Sequence, residues 1–193
     1  MTTQNPAAAL ASPVIGGPAR VLIVVAPFYR PVAHALLAGA RAALDAGGAS
    51  HETVEVPGAL EIPTAIALAA RADGFDGYVA LGCVIRGKTT HYETVCNDSS
   101  RGLTLLGLRG LAIGHGILTV ETLAQAEVRA DPARMDKGGG AAAACLHLVA
   151  LARRFAPARG LPDPATRHPG GPRAGGPSTS GPNTGGLSEG DIV

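Results

Sequence analysis

The chain has no tryptophan, three phenylalanines, three tyrosines, three cysteines and almost no net charge in its 193 residues. Each shortage excludes something. Lys and Arg total 16 against 15 for Asp and Glu, a formal charge of +1. No broad field therefore favours nucleic acid or an anionic membrane, and any phosphate site has to be local. Cys83, Cys96 and Cys145 form no CxxC pair and show no His/Cys ligand spacing. They read as buried free thiols rather than a disulfide framework or a zinc site. No apolar run approaches the roughly 20 residues that a membrane helix needs. The first residues also lack the basic flank and apolar stretch of a signal peptide. The expected setting is cytoplasmic, with no membrane and no nucleic-acid partner.

What is abundant sits at the ends. Seven of the 15 prolines and nine of the 27 glycines follow Ala156, as in Pro169-Gly-Gly-Pro-Arg-Ala-Gly-Gly-Pro177. Such a stretch buries too little apolar surface to offset its ordering entropy. Residues 157–193 are expected to be a disordered tail and 1–18, with Pro6, Pro13, Gly16, Gly17 and Pro18, a mostly flexible leader. One folded domain is expected over 19–156.

Within it, Val21-Leu-Ile-Val-Val-Ala26 is a continuous, β-branched apolar run, the pattern of a strand buried on both faces. After Pro31, apolar residues from Val32 to Leu44 recur at helical spacing until Gly47-Gly48. The alternation continues with an extended segment at 52–56, a helix at 62–71, a strand at 78–81 and a helix at 91–106. A strand at 111–118, a short helix at 121–130 and a final helix at 140–155 complete it. Strands alternating with helices predict an α/β fold: a three-layer α/β/α sandwich around a mostly parallel four-stranded sheet, flavodoxin-like.

Ligands of such sheets bind beyond the carboxyl ends of the strands, so the connections there carry the chemistry. The first is Pro27-Phe28-Tyr29-Arg30-Pro31. Its aromatic pair either stacks on a planar heterocycle or closes the helix onto the sheet. The second is Val56-Pro57-Gly58-Ala59-Leu60-Glu61-Ile62-Pro63. Glu61 either accepts hydroxyl hydrogen bonds from a polyol or complements the helix dipole. The third is Gly82-Cys83-Val84-Ile85-Arg86-Gly87-Lys88-Thr89-Thr90-His91-Tyr92-Glu93. Thr90 and Glu93 have capping-box spacing, which predicts a helix starting at His91. The Gly-Lys-Thr before it offers amides, a hydroxyl and a cation to the positive end of that helix, a combination suited to phosphate. It is not a Walker A loop, because GxxxxGK[ST] is absent. A histidine beside such an anion either moves protons or is structural. The fourth connection leads from His115 through Glu121 to a helix bearing Arg129, with Lys137 past a turn. Arg129 either clamps phosphate or is a solvated helix-end cation.

In these connections the chain resembles the lumazine synthase family over about 20–155. The resemblance is carried by Pro57-Gly-Ala-Leu-Glu-Ile-Pro63, Gly82-Cys-Val-Ile-Arg-Gly-Lys-Thr-Thr-His-Tyr-Glu93, Gly116-Ile-Leu-Thr-Val-Glu121, Arg129 and Asp136-Lys137-Gly138. It implies a transferase of riboflavin biosynthesis that condenses 5-amino-6-(D-ribitylamino)uracil with 3,4-dihydroxy-2-butanone 4-phosphate, releasing phosphate and water. By the resemblance, Phe28 stacks on the pyrimidine, Ala59, Leu60 and Glu61 hold the ribityl chain, and Cys83, Val84 and Ile85 read the pyrimidine edge. Lys88, Thr89 and Arg129 hold the phosphate, and His91 is the catalytic proton-transfer residue. The positions matching His115, Arg129 and Lys137 come from the neighbouring subunit, so the resemblance implies a homo-oligomer with sites at subunit interfaces. It names riboflavin synthase as a further partner and implies neither metal nor cofactor.

Two positions depart from the family: His115 stands where an aromatic or amide side chain is common, and Leu60 where an aromatic is frequent. The turn Ala130-Asp-Pro-Ala-Arg-Met-Asp136 lacks the pattern associated with icosahedral shells, which favours a pentamer. A flavodoxin-type FMN module fits poorly, since the first loop is Pro-Phe-Tyr-Arg-Pro rather than Ser/Thr/Gly-rich. A non-catalytic lumazine or flavin carrier on the same frame stays open.

Overall fold

The computed structural model describes Leu10, residues 13–72 and residues 74–156. The tail expected at 157–193 and most of the leader lie outside the described residues. Chain order is β1 (Ala19–Val25), α1 (Arg30–Ala46), β2 (Ala49–Glu55), α2 (Glu61–Ala69) with a 3-10 turn at Ala70–Ala72, and β3 (Gly77–Ile85). Then come α3 (His91–Leu108), β4 (Ile113–Val120), α4 (Leu123–Ala130) and α5 (Lys137–Phe155). The four strands pair in the order β2-β1-β3-β4, all parallel.

The apolar run of β1 explains the three layers. Val21, Ile23 and Val25 face one core with α1, α4 and α5, while Leu22 and Val24 face the other with α2 and α3. Each such side chain removed from water contributes about 1.5–3 kcal/mol, so the strand is held from both sides. Glycine allows α1 and α5 to approach closely. A Cβ on Gly138 would stand 2.0 Å from the Leu36 carbonyl oxygen, so any side chain there would push the helices apart. Part of the stretch read as leader is tied to this frame. Ile15 is buried, and Arg153 of α5 donates to the carbonyls of Ile15 at 2.6 Å, Gly17 at 3.0 Å and Pro18 at 2.7 Å.

Three local expectations change. β3 runs on to Ile85, so Gly82, Cys83, Val84 and Ile85 are strand rather than connection. The reason is the β4 ladder, whose register from Gly82↔Ile117 to Ile85↔Val120 carries the strand past the glycine. α5 begins at Lys137, before the three glycines, because Asp136 takes the left-handed conformation (φ 41°) and caps Gly139 N–H at 2.9 Å. α3 does start at His91, but without a capping box. Thr90 lies in the helical region and makes no side-chain cap bond. The Glu93 carboxylate is taken instead by the Arg86 guanidinium, a charge-assisted partner stronger than a backbone amide.

Candidate active site

The strand order reverses direction between β1 and β3, since the chain leaves β1 toward β2 on one side and returns to β3 on the other. That switch point opens a crevice at the carboxyl ends of both strands. Ala26 N–H donates to the Leu81 carbonyl at 2.9 Å, which ties the two exits together. A cleft of about 440 Å³ lies beyond them, lined by Phe28, Tyr29, Ala59, Leu60, Glu61, Cys83, Val84, Ile85 and His91, among others. Phe28 is 74% exposed and makes edge contact with Tyr29 at 5.1 Å between ring centroids, so one face of its ring is free for a planar ligand. Ala59 and Cys83 are buried, and Val84 and Ile85 half-buried, giving a mostly apolar wall with strand backbone at its floor. Glu61 occupies the first turn of α2 after a tight turn in which its N–H donates to the Gly58 carbonyl at 3.3 Å. Burial pushes the Cys83 thiol up to about 11, so it stays neutral and is no nucleophile near pH 7.

A second cleft of about 550 Å³ runs along the outer side of β4. His115, Arg129, Asp136 and Lys137 line it, with Thr119 and Met135 between them. Arg129 ends α4, and its guanidinium donates to the Gln125 carbonyl at 3.2 Å. The turn from Asp131 to Asp136 is closed by Asp136 N–H to the Asp131 carbonyl at 3.0 Å, which delivers Lys137 to the first position of α5. Arg129 from the last turn of α4 and Lys137 at the start of the 19-residue α5 bring two cations to this cleft, beside the Asp136 carboxylate.

The structure therefore brings together Phe28, Ala59–Glu61, Cys83–Ile85 and His91 in one cleft, and His115, Arg129 and Lys137 in another. Lys88 and Thr89 line neither; they stand exposed on the loop between β3 and α3. Sequence reasoning did not single out Val95, Thr119 or Met135, which were not findable from type or spacing. It also passed over Arg86, whose guanidinium reaches both Glu93 and Glu121. Glu93, just past the loop, was a legible partner, whereas Glu121 is brought to Arg86 only by the pairing of β3 with β4. Arg86 holds the Glu93 carboxyl below the usual carboxylate range. Among the described residues no cluster of His, Cys, Asp and Glu could hold a metal, and no helix is long and apolar enough to cross a membrane.

The fold and its clefts define a parallel α/β sandwich of the kind that binds ligands at the carboxyl ends of its strands, with one mostly apolar cleft at the switch point and a second bearing Arg129 and Lys137. The comparisons specify it further. The family model for 6,7-dimethyl-8-ribityllumazine synthase matches residues 18–153. The chain is 56% identical over 151 residues to the 6,7-dimethyl-8-ribityllumazine synthase of a Jannaschia species, covering 78% of this chain and 85% of that one. It is 61% identical over 137 residues to that of Sphingopyxis alaskensis (71% and 97%), and 52% identical over 160 residues to that of Azorhizobium caulinodans (80% and 98%). The chain belongs to the 6,7-dimethyl-8-ribityllumazine synthase family.

Proposed function

We propose that this chain is the transferase that condenses 5-amino-6-(D-ribitylamino)uracil with 3,4-dihydroxy-2-butanone 4-phosphate to 6,7-dimethyl-8-ribityllumazine. The pyrimidine lies against Phe28, with its edge on the Cys83–Ile85 backbone and its ribityl chain along Ala59, Leu60 and Glu61. The keto phosphate is held by Lys88 and Thr89 with Arg129. The 5-amino group attacks the ketone and water leaves to give an imine. Elimination then expels phosphate, and attack by the ribityl-bearing nitrogen on the new carbonyl closes the ring with loss of a second water. His91 moves the protons these steps require, and cations stabilise the departing phosphate.

The observation that carries this reading is the division of the recognition residues between two clefts of one chain. It supports a homo-oligomer, a pentamer, in which His115, Arg129 and Lys137 of one subunit complete the ring-binding cleft of the next. Three free cysteines suit a cytoplasmic setting, with riboflavin synthase as the partner that receives the product. Removal of residues 160–193, which lie beyond the family match, should leave turnover unchanged in the same assay.

The test is a fluorescence assay with both substrates and no added metal or nucleotide, alongside light scattering. Lumazine formation well above the uncatalysed rate by a particle of five subunits is expected. Tight binding of lumazine without turnover would establish the carrier instead.

A further inference from the structure

Arg86 is the first residue beyond β3, and four contacts determine where it sits. Its backbone N–H donates to the Val120 carbonyl at 2.9 Å, extending the β3–β4 ladder by one rung. Its Nε donates to Glu121 Oε2 at 2.7 Å, and its Nη1 to Glu93 Oε1. Its guanidinium carbon lies 4.1 Å from the centroid of the Tyr92 ring. Glu93 and Tyr92 belong to the first turn of α3, and Glu121 begins the connection to α4.

The loop it spans has little else to hold it. Gly87 to Thr90 are exposed, and the side chains of Lys88, Thr89 and Thr90 make no hydrogen bond or ion pair among the described residues. The missing capping box means that the start of α3 is fastened from outside, by the guanidinium, rather than by its own cap. A planar fork suits this: two edges reach two carboxylates while the face stacks on Tyr92, which an ammonium cannot do simultaneously. His91 immediately precedes Tyr92, so fixing that ring also fixes the rotation of the helical turn that carries His91.

We propose that Arg86 is a positioning residue for the condensation. By bridging Glu93, Tyr92 and Glu121, it holds the 87–90 loop and His91 in register with the connection that leads to α4 and Arg129, and it touches no substrate itself. This rests on the reading above in which the loop meets the keto phosphate. Beyond the β3–β4 ladder, this one side chain ties the start of α3 to the connection that follows β4.

The test uses the full-length protein with Arg86→Lys, which keeps the charge but loses the fork, and Glu93→Gln, which is nearly isosteric. In Arg86→Lys the KM for the keto phosphate is expected to rise about tenfold and kcat to fall severalfold. Pyrimidine affinity and the light-scattering mass should stay unchanged. Glu93→Gln should show a smaller rise, and the double variant little beyond Arg86→Lys, because both break one bridge. A wild-type KM in Arg86→Lys, equal losses of affinity for both substrates, or fully additive effects would each overturn the proposal. Arg129→Ala, assayed alongside, separates this from the site reading. If its KM is unchanged while that of Arg86→Lys rises, the Arg129 clamp fails and positioning by Arg86 stands.

Discussion

The two clefts of this chain are held together in different ways. The switch-point cleft, proposed to bind the ring, is part of the sheet: Cys83, Val84 and Ile85 are strand residues paired to β4, and Ala59 and Cys83 are buried. The cationic cleft hangs on helix ends, with Arg129 closing α4 and Lys137 opening α5 across a six-residue turn from Asp131 to Asp136. Recognising a flat ring through backbone needs a rigid frame, whereas a charge acts through distance and tolerates adjustment. Substitutions in the first cleft should therefore disturb packing and binding together, and substitutions in the second should disturb binding alone.

The largest expected effect is on the cationic side. Arg129→Ala should weaken apparent affinity for the keto phosphate by about ten- to a hundredfold, from the loss of a charge-assisted contact of about 1.5–3 kcal/mol. Pyrimidine binding, followed by titration, and melting temperature should hold; a parallel loss of either would erase the distinction between the clefts. His91→Ala sharpens it from the other side. Turnover should fall about tenfold with KM for either substrate within a fewfold, at the low end for acid–base catalysis because the condensation proceeds without enzyme.

A smaller effect belongs to the frame that serves both clefts. Arg153 joins α5 to the carbonyls of Ile15, Gly17 and Pro18 and to Asp76 Oδ1 at 3.0 Å. Arg153→Ala should lower stability by about 1–2 kcal/mol in chemical denaturation, discounted for partial exposure, while leaving kinetics intact. Altered KM would mean that the N-terminal segment reaches a cleft.

The smallest effect is a matter of pH. The folded-state pKa of Cys83 is raised, so the stability its neutral thiol contributes is fully present below about pH 8.5, where a free thiol titrates, and is lost as pH rises through about 11. Iodoacetamide should label Cys83 at least about tenfold more slowly in the native protein than in urea, and the native rate should still be climbing about tenfold per pH unit at pH 9, where the rate in urea is levelling off. Rapid native labelling would show that the floor of the ring cleft is less rigid than its neighbour comparison requires.

Much of this molecule was legible from pattern, and the misreadings have specific physical causes. The β1 run announced a strand buried on both faces, and the helical spacing after Pro31 announced α1, because burial against two layers leaves a continuous apolar signature. Gly82 was read as the end of a strand, but a paired neighbour overrides a weak local breaker. Thr90 and Glu93 have capping-box spacing, yet spacing does not report that a guanidinium four residues before Thr90 competes for the carboxylate. The side chains of the first cleft came from three segments at the carboxyl ends of β1, β2 and β3, so the switch-point rule found them. Their separation from His115, Arg129 and Lys137 depends on which side of β4 each faces, a tertiary property that reached the sequence reading only through family resemblance.

The central claim is that one chain's ring cleft works with another chain's cations. Two differently tagged variants, Phe28→Ala/His91→Ala and Arg129→Ala, can be coexpressed and the mixed particles isolated by tandem purification. If sites are shared around a ring, random mixing leaves about a quarter of them with both halves intact, and activity should recover to about that fraction of wild type. Activity in the mixed particles no higher than the average of the two parents would mean that each chain completes its own site, and would contradict the account.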